Sequence, residues 1–113
     1  GDGRFDFSGG TAKNTVADMG RCIVVQIGRI SLLLKEKTVF TGDPAMYRSV
    51  GLEPREADLV LVKSANQFRA DYDSITSRIY ILDTPGSSSA NLVKLPFRKI
   101  VRPFYPFDDN FDW

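Results

Sequence analysis

The sequence predicts an α/β domain: a mixed β-sheet with one parallel βαβ unit, an N-terminal antiparallel strand pair and a short second helix. Three stretches carry that expectation. The first is Asp58–Asp83, which reads as strand, loop, helix, strand. Leu59-Val60-Leu61-Val62 is an unbroken apolar run, the mark of a strand buried on both faces. Ala65, Phe68, Tyr72 and Ile75 then recur at helical spacing and share one face. Ile79, Ile81 and Leu82 around Tyr80 give a second β-rich run. Two strands joined by a helix are most simply parallel, with a right-handed crossover.

The second stretch is the pair Arg21–Gln26 and Arg29–Lys35, β-rich by composition and separated at Gly28. A tight hairpin or one long strand with a glycine bulge would both fit. The third is Gly42-Asp43-Pro44, a helix start with Asp43 as N-cap and Pro44 at the first helical position. Gly51 ends that helix.

The remaining elements follow in chain order. Phe5 and Phe7 alternate around Asp6, as in a short edge strand or a packing arm, and Ser8-Gly9-Gly10-Thr11 is a loop. Asp18-Met19-Gly20 is a turn, Thr38–Thr41 a continuation of the sheet, and Glu53-Pro54-Arg55-Glu56 another turn. Thr84–Asn91 reads as a flexible loop and Leu92–Leu95 as a short element. Pro103 and Pro106 bracket Phe104-Tyr105, which predicts an extended tail.

Composition excludes several functions. A net charge of +1 provides no field for nucleic acid or anionic lipid. No apolar run reaches the roughly 20 residues that span a bilayer, and no leading apolar segment resembles a signal peptide. Neither nucleic acid nor membrane is expected as a partner. Cys22, the single cysteine, sits among Ile23, Val24 and Val25 and reads as a small buried hydrophobe. With no internal disulfide available, a cytoplasmic setting is expected. Histidine is absent, which removes Ser-His-Asp and Cys-His arrangements and the commonest zinc ligand sets. No catalytic residue and no metal ligand is therefore expected in this chain. It opens on Gly1-Asp2-Gly3-Arg4, without Met, as a piece of a longer polypeptide would.

In a parallel unit, ligands gather at the carboxyl ends of the strands. Candidate substrate- or anion-binding residues are therefore Lys63, Ser64, Asn66 and Arg69 after one strand, and Asp83, Thr84 and Gly86 after the other. Ser64 or Asn66 could cap the helix, and free first-turn N–H groups could hold an anion beside Lys63 and Arg69. A capped helix with a solvated arginine fits the same residues. Asp83-Thr84-Pro85-Gly86 looks like the magnesium-side motif of GTPases, but Gly9-Gly10-Thr11-Ala12-Lys13 lacks the spacing and ending of a phosphate loop. A strand ending in a Pro-Gly turn is the plainer reading. Asp108-x-Asn110-x-Asp112 matches only the start of a calcium loop and reads as a solvated tail. Arg98, Lys99 and Arg102 among Phe97, Phe104 and Tyr105 read as aromatics packed on the domain with charges outward.

Several pieces, in this order and spacing, resemble the C-terminal domain of MlrC-type metallopeptidases, the microcystinase C family. They are Gly1-Asp2-Gly3-Arg4-Phe5, Met19-Gly20, Asp43-Pro44, Gly51-Leu52-Glu53-Pro54, Val62-Lys63-Ser64 with Phe68-Arg69, Asp83-Thr84-Pro85-Gly86, and Arg102-Pro103 with Tyr105-Pro106. Family members often carry a histidine just before the Phe-Arg pair, where this chain has Gln67. The resemblance implies that residues 1–113 are one domain of a two-domain zinc hydrolase cleaving peptides or peptide-like amides. Its zinc ligands would lie in the larger N-terminal domain, with no cofactor in this chain. The implied partners are that catalytic domain and a peptide substrate, which the Lys63–Arg69 and Asp83–Ser89 loops would face. Two other classes stay open: a free-standing anion- or nucleotide-binding module, and a structural or dimerising domain using Phe104, Phe107, Phe111 and Trp113, hence a homo-oligomer.

Overall fold

Short antiparallel strand pairs and single helical turns make up the chain, a mixed α/β composition with little regular helix. A computed structural model describes residues 2–84 and 91–108. They fall into two compact units, divided after Ile79.

In the first unit, β1 (Arg4–Asp6) pairs antiparallel with β2 (Val16–Asp18), Phe5 lying opposite Ala17. The alternation of Phe5 and Phe7 puts both rings on the same face, packed edge-on at 5.1 Å, and both are buried. Met19, wholly inaccessible to solvent, joins them with Ala17 and Met46 to form the core. Burial of such side chains stabilises by about 1.5–3 kcal/mol each. The Asp18-Met19-Gly20 turn is fixed on both sides: Met19 N–H donates to Gly3 O at 2.8 Å, and Lys37 N–H donates to Met19 O at 2.9 Å.

The apolar pair around Gly28 is a hairpin. β3 (Cys22–Ile27) pairs antiparallel with β4 (Ile30–Lys35) through the two-residue turn Gly28-Arg29. Gly28 has φ +58°, as a tight hairpin turn requires at its first central position. Cys22 and Leu33 pack against the core. Residues 38–41 form no strand, although Val39 and Phe40 pack against the core.

The helix expected after Gly42 is the single turn α1 (Ala45–Arg48). Pro44 already has helical dihedrals, and Asp43 Oδ1 accepts the Ala45 N–H at 2.8 Å, so Asp43 caps the turn. At the other end Gly51 N–H donates to Arg48 O and Leu52 N–H to Tyr47 O, both at 3.0 Å. With Gly51 at φ +80° this is a Schellman motif.

The Asp58–Asp83 stretch is where the sequence and the structure differ most. Its helix is one turn, α2 (Arg69–Tyr72), and the flanking runs 59–62 and 79–82 join no ladder among the described residues. Leu59 and Leu61 are 70% and 69% exposed. The physical reason is that an all-apolar strand needs neighbours on both edges and cover on both faces, which these residues do not have here. The helical face is preserved in part: Phe68 and Tyr72 are buried, Ile75 is half-buried, and Ala65, ahead of the helix, is exposed.

In the second unit, residues 92–94 form a 3-10 turn. Phe97 and Phe107 pack edge-on at 5.4 Å, and the Arg102 guanidinium lies over Phe107 at 4.9 Å while pairing with Asp108 at 2.9 Å. The tail turns sharply, with Phe107 and Asp108 N–H both donating to Phe104 O, where an extended run was expected. The peptide bonds before Pro103 and Pro106 are cis. Of the calcium-like motif, Asp108 accepts from Arg102 and from Phe104 N–H, and Asn110 and Asp112 lie outside the described residues.

Candidate functional site

The Lys63–Arg69 stretch is held largely through its backbone, with Lys63, Asn66 and Arg69 exposed. Thr41 Oγ1 donates to Lys63 O at 2.9 Å and Tyr47 Oη to Leu61 O at 2.8 Å. In an extended chain alternate carbonyls point to the same side, so both bonds tie one edge to the segment around α1. Burial raises the Tyr47 phenol's pKa, so it stays a neutral donor. Ser64 Oγ accepts Phe68 N–H at 3.3 Å and caps the turn leading into α2. Phe68 is buried and anchors the loop, and the Arg69 guanidinium sits 5.4 Å from its ring centroid. Lys63, Asn66 and Arg69 are exposed. Gln67, just before the Phe68-Arg69 pair, is also exposed. Because α2 is a single turn, its dipole is slight. Any affinity for an anion rests on the Lys63 and Arg69 side chains.

The second group belongs to the second unit. Asp83 is exposed and pairs with Lys94, Thr84 is exposed, and Gly86 lies outside the described residues.

One junction escaped the sequence. Asp43 is completely buried and does more than cap α1. Its carboxylate also accepts from Ser8 N–H at 2.7 Å, Ser8 Oγ at 2.7 Å and Gly9 N–H at 3.1 Å. Burial pushes its pKa up, but these donors outweigh that and leave it lowered. Asp71 approaches the same loop from α2: a Cβ on Gly9 would lie 1.8 Å from Asp71 Oδ1, so a larger residue there would have to displace the Asp71 side chain. Asp71 Oδ2 and the Tyr72 hydroxyl are buried without a hydrogen-bond partner among the described residues. Burial, then the Asp43 charge, raises the Asp71 pKa. Ser8-Gly9 read only as a loop, and nothing in local spacing signals a tie across 35 residues. The junction fastens the N-terminal loop to α1, with Asp71 of α2 lying beside it.

Antiparallel pairs, capped single turns and an exposed cationic loop make up a small mixed α/β domain among the described residues. The sequence matches the family described as MlrC C-terminus over residues 1–99, and the chain belongs to that family. It is 29% identical over 91 residues to Microcystinase C of Sphingomonas sp., covering 80% of this chain and 17% of that protein. It is also similar to a crystal structure of a protein from Mesorhizobium sp. BNC1 described as a candidate metallopeptidase. That match has a TM-score of 0.73 and 29% identity, and covers 98% of this chain and 22% of the other. The chain thus spans about a fifth of the length of these relatives.

Proposed function

We propose that this chain is the C-terminal domain of a longer zinc-dependent peptidase or amidohydrolase, where it completes the substrate cleft and does not hold the metal. The observation that carries the reading is the family match over residues 1–99. The donors available here do not suit zinc: histidine is absent, and the single Cys22 packs against the core. On this reading zinc, bound by the rest of the polypeptide, supplies an activated water. Lys63 and Arg69 orient the substrate by charge-assisted bonds to a carboxylate or carbonyl oxygen. Their loop suits that task because Thr41, Tyr47 and the buried Phe68 hold its backbone in place. Asp83, Thr84 and Gly86 are assigned to a second substrate-facing strand end. The apolar runs 59–62 and 79–82 become sheet strands once the larger domain supplies neighbours.

The test uses the full-length protein. Lys63→Ala should lower kcat/KM for a peptide substrate roughly ten- to a thousandfold, the loss of one to three charge-assisted contacts. Zinc content and folding should stay unchanged. Wild-type activity in the variant would leave the loop as scaffold, and lost zinc would move the metal site into this domain.

A further inference from the structure

We infer that Tyr47 and Thr41 are positioning residues for Lys63 and not for Arg69, so that the two cations of the candidate site stand on independent supports. This rests on the reading that Lys63 and Arg69 orient the substrate. Residues 59–63 take part in no backbone–backbone hydrogen bond among the described residues and join no ladder there. Side chains tie their backbone instead. Tyr47 Oη donates to Leu61 O at 2.8 Å, and Thr41 Oγ1 donates to Lys63 O at 2.9 Å. The first carbonyl belongs to the peptide plane joining residues 61 and 62, the second to the plane joining 63 and 64. Peptide groups are planar, so fixing these two restricts the backbone between them. With it is set the direction in which the Lys63 side chain leaves the chain.

The support behind Tyr47 is firm. Its ring packs against the core. Its helical turn α1 is capped by the buried Asp43 and closed by the Schellman motif at Gly51. Asp43 is bonded in turn to Ser8 and Gly9, so the N-terminal loop reaches Lys63 by way of α1. Arg69 is held otherwise. Its N–H donates to Asn66 O at 3.1 Å, and its guanidinium lies 5.4 Å from the ring centroid of the buried Phe68. Neither hydroxyl tie involves residues 66–69. Ser64 Oγ does link the two ends by accepting Phe68 N–H, but at 3.3 Å this bond is longer than the usual N–H···O range and transmits little.

Two double-mutant cycles in the full-length protein test this, read as kcat/KM for a peptide substrate. Tyr47→Phe keeps the ring in the core and removes only the hydroxyl, and water can replace that donor because Leu61 is exposed. The variant should lower kcat/KM about tenfold, within the roughly hundredfold that a 1 Å misplacement can cost. The same loss should appear in an Arg69→Ala background, as independent sites require. In a Lys63→Ala background it should shrink below about twofold, because a residue acting through Lys63 has nothing left to position. Thr41→Val should repeat the pattern, and it carries the test if Tyr47→Phe does not fold. No loss in the wild-type background, or an equal loss with and without Lys63, would overturn the inference while leaving the role of Lys63 intact. A loss that vanishes in the Arg69→Ala background would overturn the independence of the two supports. Full activity in Lys63→Ala alone would remove the substrate-orienting role of Lys63, and this inference with it.

Discussion

Residues 2–57 and residues 58–84 answer the same problem differently. The first stretch supplies its own partners. Phe5, Phe7, Ala17, Met19 and Met46 bury one another, and Asp43 collects three backbone donors and a hydroxyl from both ends of that stretch. The second stretch has the unbroken apolar run 59–62 but gives it no ladder among the described residues. Leu59 and Leu61 are largely exposed, and the Leu61 and Lys63 carbonyls accept side-chain hydroxyls instead. Hydrophobicity alone does not make a strand core; a neighbour of matching shape does. The core side chains of the first stretch find their neighbours within it, although one face of the β3–β4 hairpin stays exposed, while Leu59 and Leu61 find no such neighbours among the described residues.

The sharpest way to break the comparison is at Asp43. Asp43→Ala strands the Ser8, Gly9 and Ala45 N–H groups in a partly buried site. It should cost about 3–5 kcal/mol, read as a lower denaturant midpoint with unchanged slope. Phe68→Ala should follow at about 3 kcal/mol, since Phe68 is the buried anchor of the second stretch; a loss under about 1 kcal/mol would detach that stretch from the folded unit. Asp71 should act with the opposite sign. Its carboxyl is held above its usual pKa by burial and by Asp43, so folding penalises the ionised form. The penalty is present above the folded pKa and vanishes as pH falls below the ordinary aspartate value of 3.8. Asp71→Asn should therefore raise the melting temperature at pH 7, with the gain disappearing near pH 3; an equal gain at both pH values would mean that charge is not the cause. Leu61→Ala should be smallest, within about 0.5 kcal/mol in the 113-residue chain, with a loss above about 1 kcal/mol in the full-length protein if the strand is covered there.

What the sequence revealed of the fold was local. The hairpin was legible because two β-rich runs flank a single glycine, and α1 because Asp43-Pro44 and Gly51 punctuate it at both ends. The tie from Asp43 to Ser8 was not legible, since hydrogen bonds across distant loops leave no periodic trace. The parallel unit expected at 58–83 followed from real periodicity, but the runs 59–62 and 79–82 join no ladder among the described residues. At the candidate site the chain shows how the Lys63 loop is held, through Thr41 and Tyr47 hydroxyls on backbone carbonyls, a detail that a run of apolar residues ending in Lys-Ser does not disclose.

Amide hydrogen exchange over residues 59–62, in the 113-residue chain and in the full-length protein, tests most directly the dependence of the second stretch on outside chain. In the 113-residue chain the Val60 and Val62 amides, which donate to no described backbone carbonyl, should exchange near the unprotected rate while those of β3 and β4 stay protected. In the full-length protein the same two amides should slow by at least about a hundredfold, as interior ladder positions do. Equal, fast exchange in both would contradict the account, leaving 59–62 an exposed edge with no strand to meet it.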